Sequence, residues 1–214
     1  MKIVAIDGPA GSGKGTITKI VAEKLGLIYI DSGATYRCVA LACLRNNLKL
    51  EEKDKIIALT KTLNIEFTRD GKTILNGEDV SKEIRSKEVS EIVSPISSIV
   101  EVREILVDLQ RKMANNNDVI MEGRDITTVV FPNANYKFYL DASINERARR
   151  RFVQNEEMGI HIPMSELLES IEKRDYNDMH KPVGSLLRTE DQIYIDSTNM
   201  SIDEVVNEII KNIK

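Results

Sequence analysis

Residues Gly8-Pro9-Ala10-Gly11-Ser12-Gly13-Lys14-Gly15-Thr16 follow the apolar run Ile3-Val4-Ala5-Ile6, and Ile17, Ile20, Val21 and Leu25 come after them at helical spacing. Glycines at 8 and 13 with a lysine at 14 have the spacing of a phosphate-binding loop. Glycines let the backbone curl so that successive N–H groups surround a phosphate. A helix starting near Thr16 turns its positive dipole end to the anion, and Lys14 adds a mobile charge for the outer phosphates. The pattern expects Ser or Thr directly after the lysine as a magnesium ligand. Gly15 stands there instead, so Thr16 is read as a phosphate or magnesium-water contact.

Three further groups could serve the same chemistry. Asp31-Ser32-Gly33-Ala34-Thr35-Tyr36-Arg37 leaves an apolar run and opens a helix. Ser32 and Arg37 can face the phosphate loop; the plainer alternative is a turn capped by Ser32 with Arg37 in solvent. Glu122-Gly123-Arg124-Asp125 ends another apolar run. Arg124 is a fork-shaped donor suited to phosphate, and Asp125 could accept from a base amino group or hold an arginine. The alternative is a surface ion pair, but charged residues at this edge of a parallel sheet are better explained by a ligand. Arg147, Arg149, Arg150 and Arg151, with Lys173, Arg174, Asp175 and Asp178 further on, could neutralise charge on a transferred phosphoryl group. Their alternative is a solvated basic face. His161 and His180 are far apart, support neither a metal site nor a triad, and are expected at the surface.

These groups must be positioned by strands and helices. Apolar runs at 3–6, 27–30, 119–121, 136–140 and 193–195 alternate with helical patterns, which implies a parallel five-stranded α/β sheet covered on both faces. Ligands of such sheets bind beyond the carboxyl ends of the strands, where the motifs lie. Ser143 with Glu146, and Ser201 with Glu204, fit capping boxes. Ile202, Val205, Val206, Ile209, Ile210 and Ile213 form one apolar stripe, read as core. Between Asp31 and Asp118 lies a long excursion, with helices expected over 34–44, 53–63, 87–96 and 100–113. Alternation over 65–75 about Asp70-Gly71, with a second turn at Asn76-Gly77, predicts a small three-stranded antiparallel sheet. In the last of these helices Val102, Ile105, Leu106, Leu109 and Met113 form the buried stripe. Arg103 and Gln110 share another face, which spacing alone reads as solvated.

At 214 residues one domain with an insertion is expected, and 42% hydrophobic with 30% charged residues is ordinary for a globular protein. A net charge of −4 gives no sign of nucleic-acid or anionic-membrane partners. No apolar run approaches the ~20 residues that span a bilayer. The first residues run straight into a strand, so no leader is expected and the cytoplasm is the expected compartment. Cys38 and Cys43, five apart on one predicted helix, suit neither a disulfide nor a metal motif and read as core thiols.

GKGT at 13–16 is a feature of nucleoside monophosphate kinases. The segments GPAGSGKGT, DSGATYR, LNGEDVSKEIR, VREILVDLQRKM, EGRDITTVVFPNANYKFYLDAS, ERARRR, KRDYND and YIDST, in that order over nearly the whole chain, resemble the bacterial cytidylate kinase family. The resemblance implies a P-loop-type fold divided into a core (1–33, 106–146 and 183–214), an inserted monophosphate-binding region (34–105) and a short helical lid (147–182). It implies a monomer in pyrimidine nucleotide metabolism, moving a phosphoryl group from ATP, with Mg2+, to CMP or dCMP. Carried over, residues 8–16 hold the ATP phosphates, and Ser32, Arg37 and Arg124 grip the CMP phosphate. Ser94, Arg103 and Asp125 read the cytosine edge, Arg174 and Asp178 hold the ribose and organise phosphates, and Arg147 and Arg150 close over ATP. Lys14, Arg124, Arg150 and Arg174 are the expected catalytic charges. The family usually has Arg where Lys181 stands, and residues 179–185 are atypical; Lys keeps the charge but loses the bidentate fork.

A GTPase-like switch would need Asp-x-x-Gly and Asn-Lys-x-Asp, and neither occurs in the chain. A kinase for UMP, AMP or shikimate is the nearer rival, and the inserted region with Ser94 and Arg103 favours a pyrimidine.

Overall fold

The strand residues of the larger sheet alternate between two apolar layers. In β1 (Ile3–Asp7), Val4 and Ile6 face one layer and Ala5 the other, as a side-chain period of two requires. The computed structural model describes residues 1–68, 71–157 and 159–213. After β1 come α1 (Lys14–Leu25), β2 (Ile28–Asp31), α2 (Ser32–Arg45) and α3 (Lys53–Thr60). The short strands β3 (Ile65–Phe67), β4 (Thr73–Leu75) and β5 (Glu78–Asp79) follow, then α4 (Lys87–Ile96) and α5 (Val100–Met113). The chain ends with β6 (Val119–Gly123), β7 (Tyr136–Asp141), α6 (Ile144–Glu157), α7 (Met164–Met179), β8 (Ile193–Asp196) and α8 (Ile202–Lys211).

The larger sheet has the order β2-β6-β1-β7-β8 with all pairs parallel, and β3-β4-β5 is antiparallel, as expected. Arg69 and Asp70, expected in the turn between β3 and β4, lie outside the described residues. Helices α1 and α8 pack with Val4, Ile6, Phe138 and Leu140, while Val107 and Ile126 cover Ala5, Val119 and Met121. The excursion has its own core around α2, whose Cys38, Val39, Leu41 and Cys43 meet Ile56, Ile65, Ile84 and Ile96. Both cysteines are free and buried, and burial raises their thiols to about 12 and about 11. Among the described residues no helix is long and apolar enough to cross a membrane.

Several local expectations need correction. Helix α1 begins at Lys14, with Gly13 as its cap residue. Helix α2 begins at Ser32 because the Asp31 carboxylate, not Ser32, accepts from the Ala34 amide at 3.0 Å. Helix α3 stops at Thr60, where side-chain hydroxyls compete for the last carbonyls: Thr60 bonds Ile56 O and Thr62 bonds Leu59 O. Ser201 and Glu204 form a full capping box, but Ser143 forms half of one. The Glu146 carboxylate is taken by Arg149 and Arg150, and the Ser143 amide donates to Thr198 Oγ1 instead. The apolar cluster engages α8 from Val205 onward, so Ile202 in the first turn is 53% exposed. Most consequential is α5, where Arg103 and Gln110 are buried while Ile105, Leu109 and Met113 are only half-buried.

Phe138→Ala should therefore lose roughly 3–5 kcal/mol in urea titration, whereas Ile202→Ala should stay within about 0.5 kcal/mol of the parent. A large loss at Ile202 would mean that α8 is packed from its first turn.

Candidate active site

The motifs meet because parallel strands deliver them to one edge. β1 leads into residues 8–16, β2 into α2, and β6 into Arg124 and Asp125, and β1, β2 and β6 are neighbours. The register pairs Ile6 and Asp31 with Glu122. Gly8 takes φ +155°, and a Cβ there would lie 2.0 Å from Leu140 O, so only glycine allows this approach to β7.

Lys14 curls over its own loop. Its Nζ donates to Gly8 O at 2.7 Å, Pro9 O at 2.8 Å and Ser12 Oγ at 3.3 Å. Burial, followed by the charge of Arg124, lowers its ammonium to about 7. Arg174 lies on the exposed face of α7, and partial desolvation, then the charge of Arg124, lowers it to about 10. Burial and the charge of Arg85 likewise lower Arg37, which donates to Ile84 O and Ser90 Oγ. These mutual effects place Lys14, Arg37, Arg124 and Arg174 in one field. Burial opposes charge at Arg124, but Asp178, 2.8 Å from its Nε, outweighs it and raises the guanidinium. Asp178 is held at about 2, because Arg124 and Lys181 overcome its own burial.

Beyond the end of β6 lies a buried pair, Arg103 with Asp125. Arg103 also donates to Ser97 O at 3.0 Å and lies over the Tyr36 ring at 5.3 Å. Its Nε is buried without a partner among the described residues. Lys181 Nζ bridges Asp178 Oδ1 at 3.1 Å and Ser97 Oγ at 3.0 Å. Gly184, at φ +66°, lies so close that a Cβ would be 1.8 Å from Arg103 Nη2 and 2.5 Å from Asp125 Oδ2.

Other expected residues are placed differently. Ser32 is buried beside Gly123, 2.4 Å from where a Cβ on that glycine would be. Ser94 is half-buried, with its carbonyl accepting from Ser97 and Ser98, so Ser97 rather than Ser94 makes the contacts to Arg103 and Lys181. Arg150 clasps Ser12 O and both oxygens of Ser197. Arg147 is a buried staple joining Ala10 O, Ala142 O and Asp175, not an open arginine over the loop. Arg149 and Arg151 pair with Glu146 and Gln154 and are exposed, as are both histidines.

The sequence model of the family described as cytidylate kinase matches residues 4–214. The chain belongs to the cytidylate kinase family. It is 46% identical to a cytidylate kinase of Fusobacterium nucleatum over 212 residues, covering 99% of this chain and 97% of that protein. A cytidylate kinase of Clostridium acetobutylicum is 47% identical over 210 residues, covering 98% and 96%. Among solved structures, shikimate kinase from Bacteroides thetaiotaomicron shares the fold at TM-score 0.50 and 12% identity, covering 98% of each chain. An uncharacterized protein from Eubacterium ventriosum matches at TM-score 0.56 and 13% identity, covering 100% of this chain and 98% of its own.

Glu122, which the motif reading quoted without assigning, lies at the same strand end as Arg124 and Asp125. Burial, then the nearby Asp31, raises the Glu122 carboxyl, and among the described residues only the Tyr29 hydroxyl donates to it, at 3.3 Å. A Cβ on Gly15 would lie 3.2 Å from Glu122 Oε1, so the missing side chain leaves room beside this carboxylate. Among the described residues no three or more His, Cys, Asp or Glu gather to hold an ion alone. One carboxylate and the exposed Thr16 hydroxyl nevertheless fit Mg2+, which is held mainly by substrate phosphates and water. Glu122 could have been found from its place one residue before Gly123 at the ligand edge. Ser97 left no sequence signal, whereas Lys181, and Gly184 within residues 179–185, were marked only as departures from the family pattern.

A triphosphate beside Lys14 should raise its pKa from about 7 back towards 10.5. The bound form then holds more protons, so affinity should fall as pH rises through that window. Titration calorimetry in two buffers of different ionisation enthalpy should show proton uptake; none would place Lys14 away from the phosphates.

Proposed function

We propose that the chain transfers the γ-phosphoryl group of ATP to CMP or dCMP, giving ADP with CDP or dCDP. The observation that carries this reading is the buried Arg103–Asp125 pair, with its unpartnered Arg103 Nε, just beyond the end of β6, the neighbour of the strand that leads into the phosphate loop. Cytosine presents an N4 amino donor beside ring acceptors. A carboxylate next to a guanidinium matches that edge. Uracil reverses the donor and acceptor at two of these positions, and a buried group left unpaired is costly.

In this reading residues 8–16 cradle the ATP phosphates. Ser32, Arg37 and Arg124 hold the CMP phosphate, and Arg174 and Asp178 hold the ribose and organise the phosphates, Asp178 also orienting Arg124. Thr16 and Glu122 would help to hold Mg2+, which when bound would supply charge neutralisation for the transferred phosphates. Phosphoryl transfer needs positioning and charge neutralisation more than a general base. Lys14, Arg124 and Arg174 supply the charge, with Arg150 anchoring the loop from above. Residues 34–105 serve as the monophosphate-binding region and 147–182 as the lid, which excludes water on closing. The chain works in pyrimidine nucleotide metabolism in the cytoplasm.

A panel of CMP, dCMP, UMP and AMP with ATP in a coupled ADP assay tests the assignment; turnover led by UMP or AMP would sink it. Lys14→Ala should lower kcat by about 10²-fold or more while the protein stays folded. Arg103→Met should erode the preference for CMP over UMP by about 1–3 kcal/mol and leave ATP binding near its parent value.

A further inference from the structure

Asp7 is a fully buried carboxyl that the mechanism above does not use. It is the last residue of β1, directly before Gly8. Its oxygens go to the other loop of the site. Oδ1 accepts from the Ile126 amide at 2.9 Å, and Oδ2 accepts from the Thr127 amide at 2.8 Å and the Thr127 hydroxyl at 2.6 Å. Gln192 Nε2 then donates to that same hydroxyl.

Ile126 and Thr127 open a single turn of π-helix, Ile126–Val130, whose cap residue is Asp125. Amides at the start of such a turn have no partner within it, and a carboxylate there satisfies them and favours the dipole. Such wide turns are found mostly at functional sites. Asp125 is held from both ends: its carbonyl accepts from the Val129 and Val130 amides, and its carboxylate pairs with Arg103. A shift of the turn therefore carries Arg124 and Asp125 with it, relative to the loop that starts at Gly8.

We propose that Asp7 is a positioning residue, which sets the acceptor loop against the phosphate loop by capping this turn. The proposal rests on the phosphoryl-transfer reading and adds the part that fixes the distance between donor and acceptor. A displacement of about 1 Å between reacting groups can cost about 10²-fold in rate. Asn at this position is nearly isosteric, but its NH2 must face one of the two backbone amides, donor against donor.

The test compares Asp7→Asn, Thr127→Val and Thr127→Ser in the full chain. Asp7→Asn should raise the KM for CMP and lower the CMP-to-UMP ratio of kcat/KM, each by about tenfold, with the KM for ATP within about twofold of the parent. Thr127→Val should move in the same direction, and Thr127→Ser, which keeps the hydroxyl, should restore the CMP preference. Amide exchange at Ile126 and Thr127 should quicken in Asp7→Asn. A folded Asp7→Asn with an unchanged CMP-to-UMP ratio overturns the proposal, and so does a rise confined to the KM for ATP. Should Asp7→Asn fail to fold, Thr127→Val decides by the same ratio. Parent turnover is measured first: no CMP phosphorylation there sinks the activity reading, while unchanged exchange at Ile126 and Thr127 separately sinks the role of Asp7.

Discussion

Lys14, Arg37, Arg124 and Arg174 repel one another, and the fold holds them at one edge of one sheet. Burial and mutual repulsion lower Lys14, Arg37 and Arg174. Few carboxylates stand against them. Asp178 is spent on Arg124 and Lys181, and Glu122 is itself pushed towards its neutral form. In a low-dielectric cleft such an excess attracts anions strongly and needs little rearrangement when charge develops. The parallel strands β1, β2 and β6 bring Lys14, Arg37 and Arg124 to a common edge, and α7 adds Arg174.

The same charges decide how α7 is attached. Leu167 and Ile171 are its buried apolar residues, and α6 is its main helical neighbour. Towards the core it offers Asp175 to Arg147 and Asp178 to Arg124. Buried pairs of this kind give little net stability but are costly to break from one side. In the proposed reading a substrate phosphate on Arg124 would compete with Asp178, which would link binding to the docking of α7 through one guanidinium. Lys181, one turn beyond, ties the same segment to Ser97 at the end of α4.

The sheet, its order of elements and the phosphate loop were legible in the sequence because they rest on periodicity and on glycine spacing, which are local. The buried face of α5 was not. Arg103 and Gln110 look solvated by type and spacing, and their burial depends on Asp125 and Thr35, which arrive from distant parts of the chain to pair with part of each side chain. Ser143 shows the same limit on a smaller scale, since its capping partner was drawn off by Arg149 and Arg150. Ile202 shows the reverse, an apolar residue on the right stripe that nothing covers. Family resemblance named Arg103 and Asp125 where spacing could not. It also named Ser94, while Ser97 is the serine whose carbonyl accepts from Arg103.

Strands β2 and β6 lie side by side, with Asp31 opposite Glu122, yet the whole excursion separates them in sequence. Their pairing is a long-range event in folding. Loop-closure entropy grows slowly with length, by about 0.6 kcal/mol for each doubling, but a search over so long a loop slows the step. The excursion has its own apolar cluster around α2 and so can collapse before β2 and β6 meet. Once formed, it shortens the effective loop that must close. The order of events on refolding should then run from the smaller core to the larger sheet, and the phosphate loop, wedged between β1 and α1, should be among the last parts to acquire its shape.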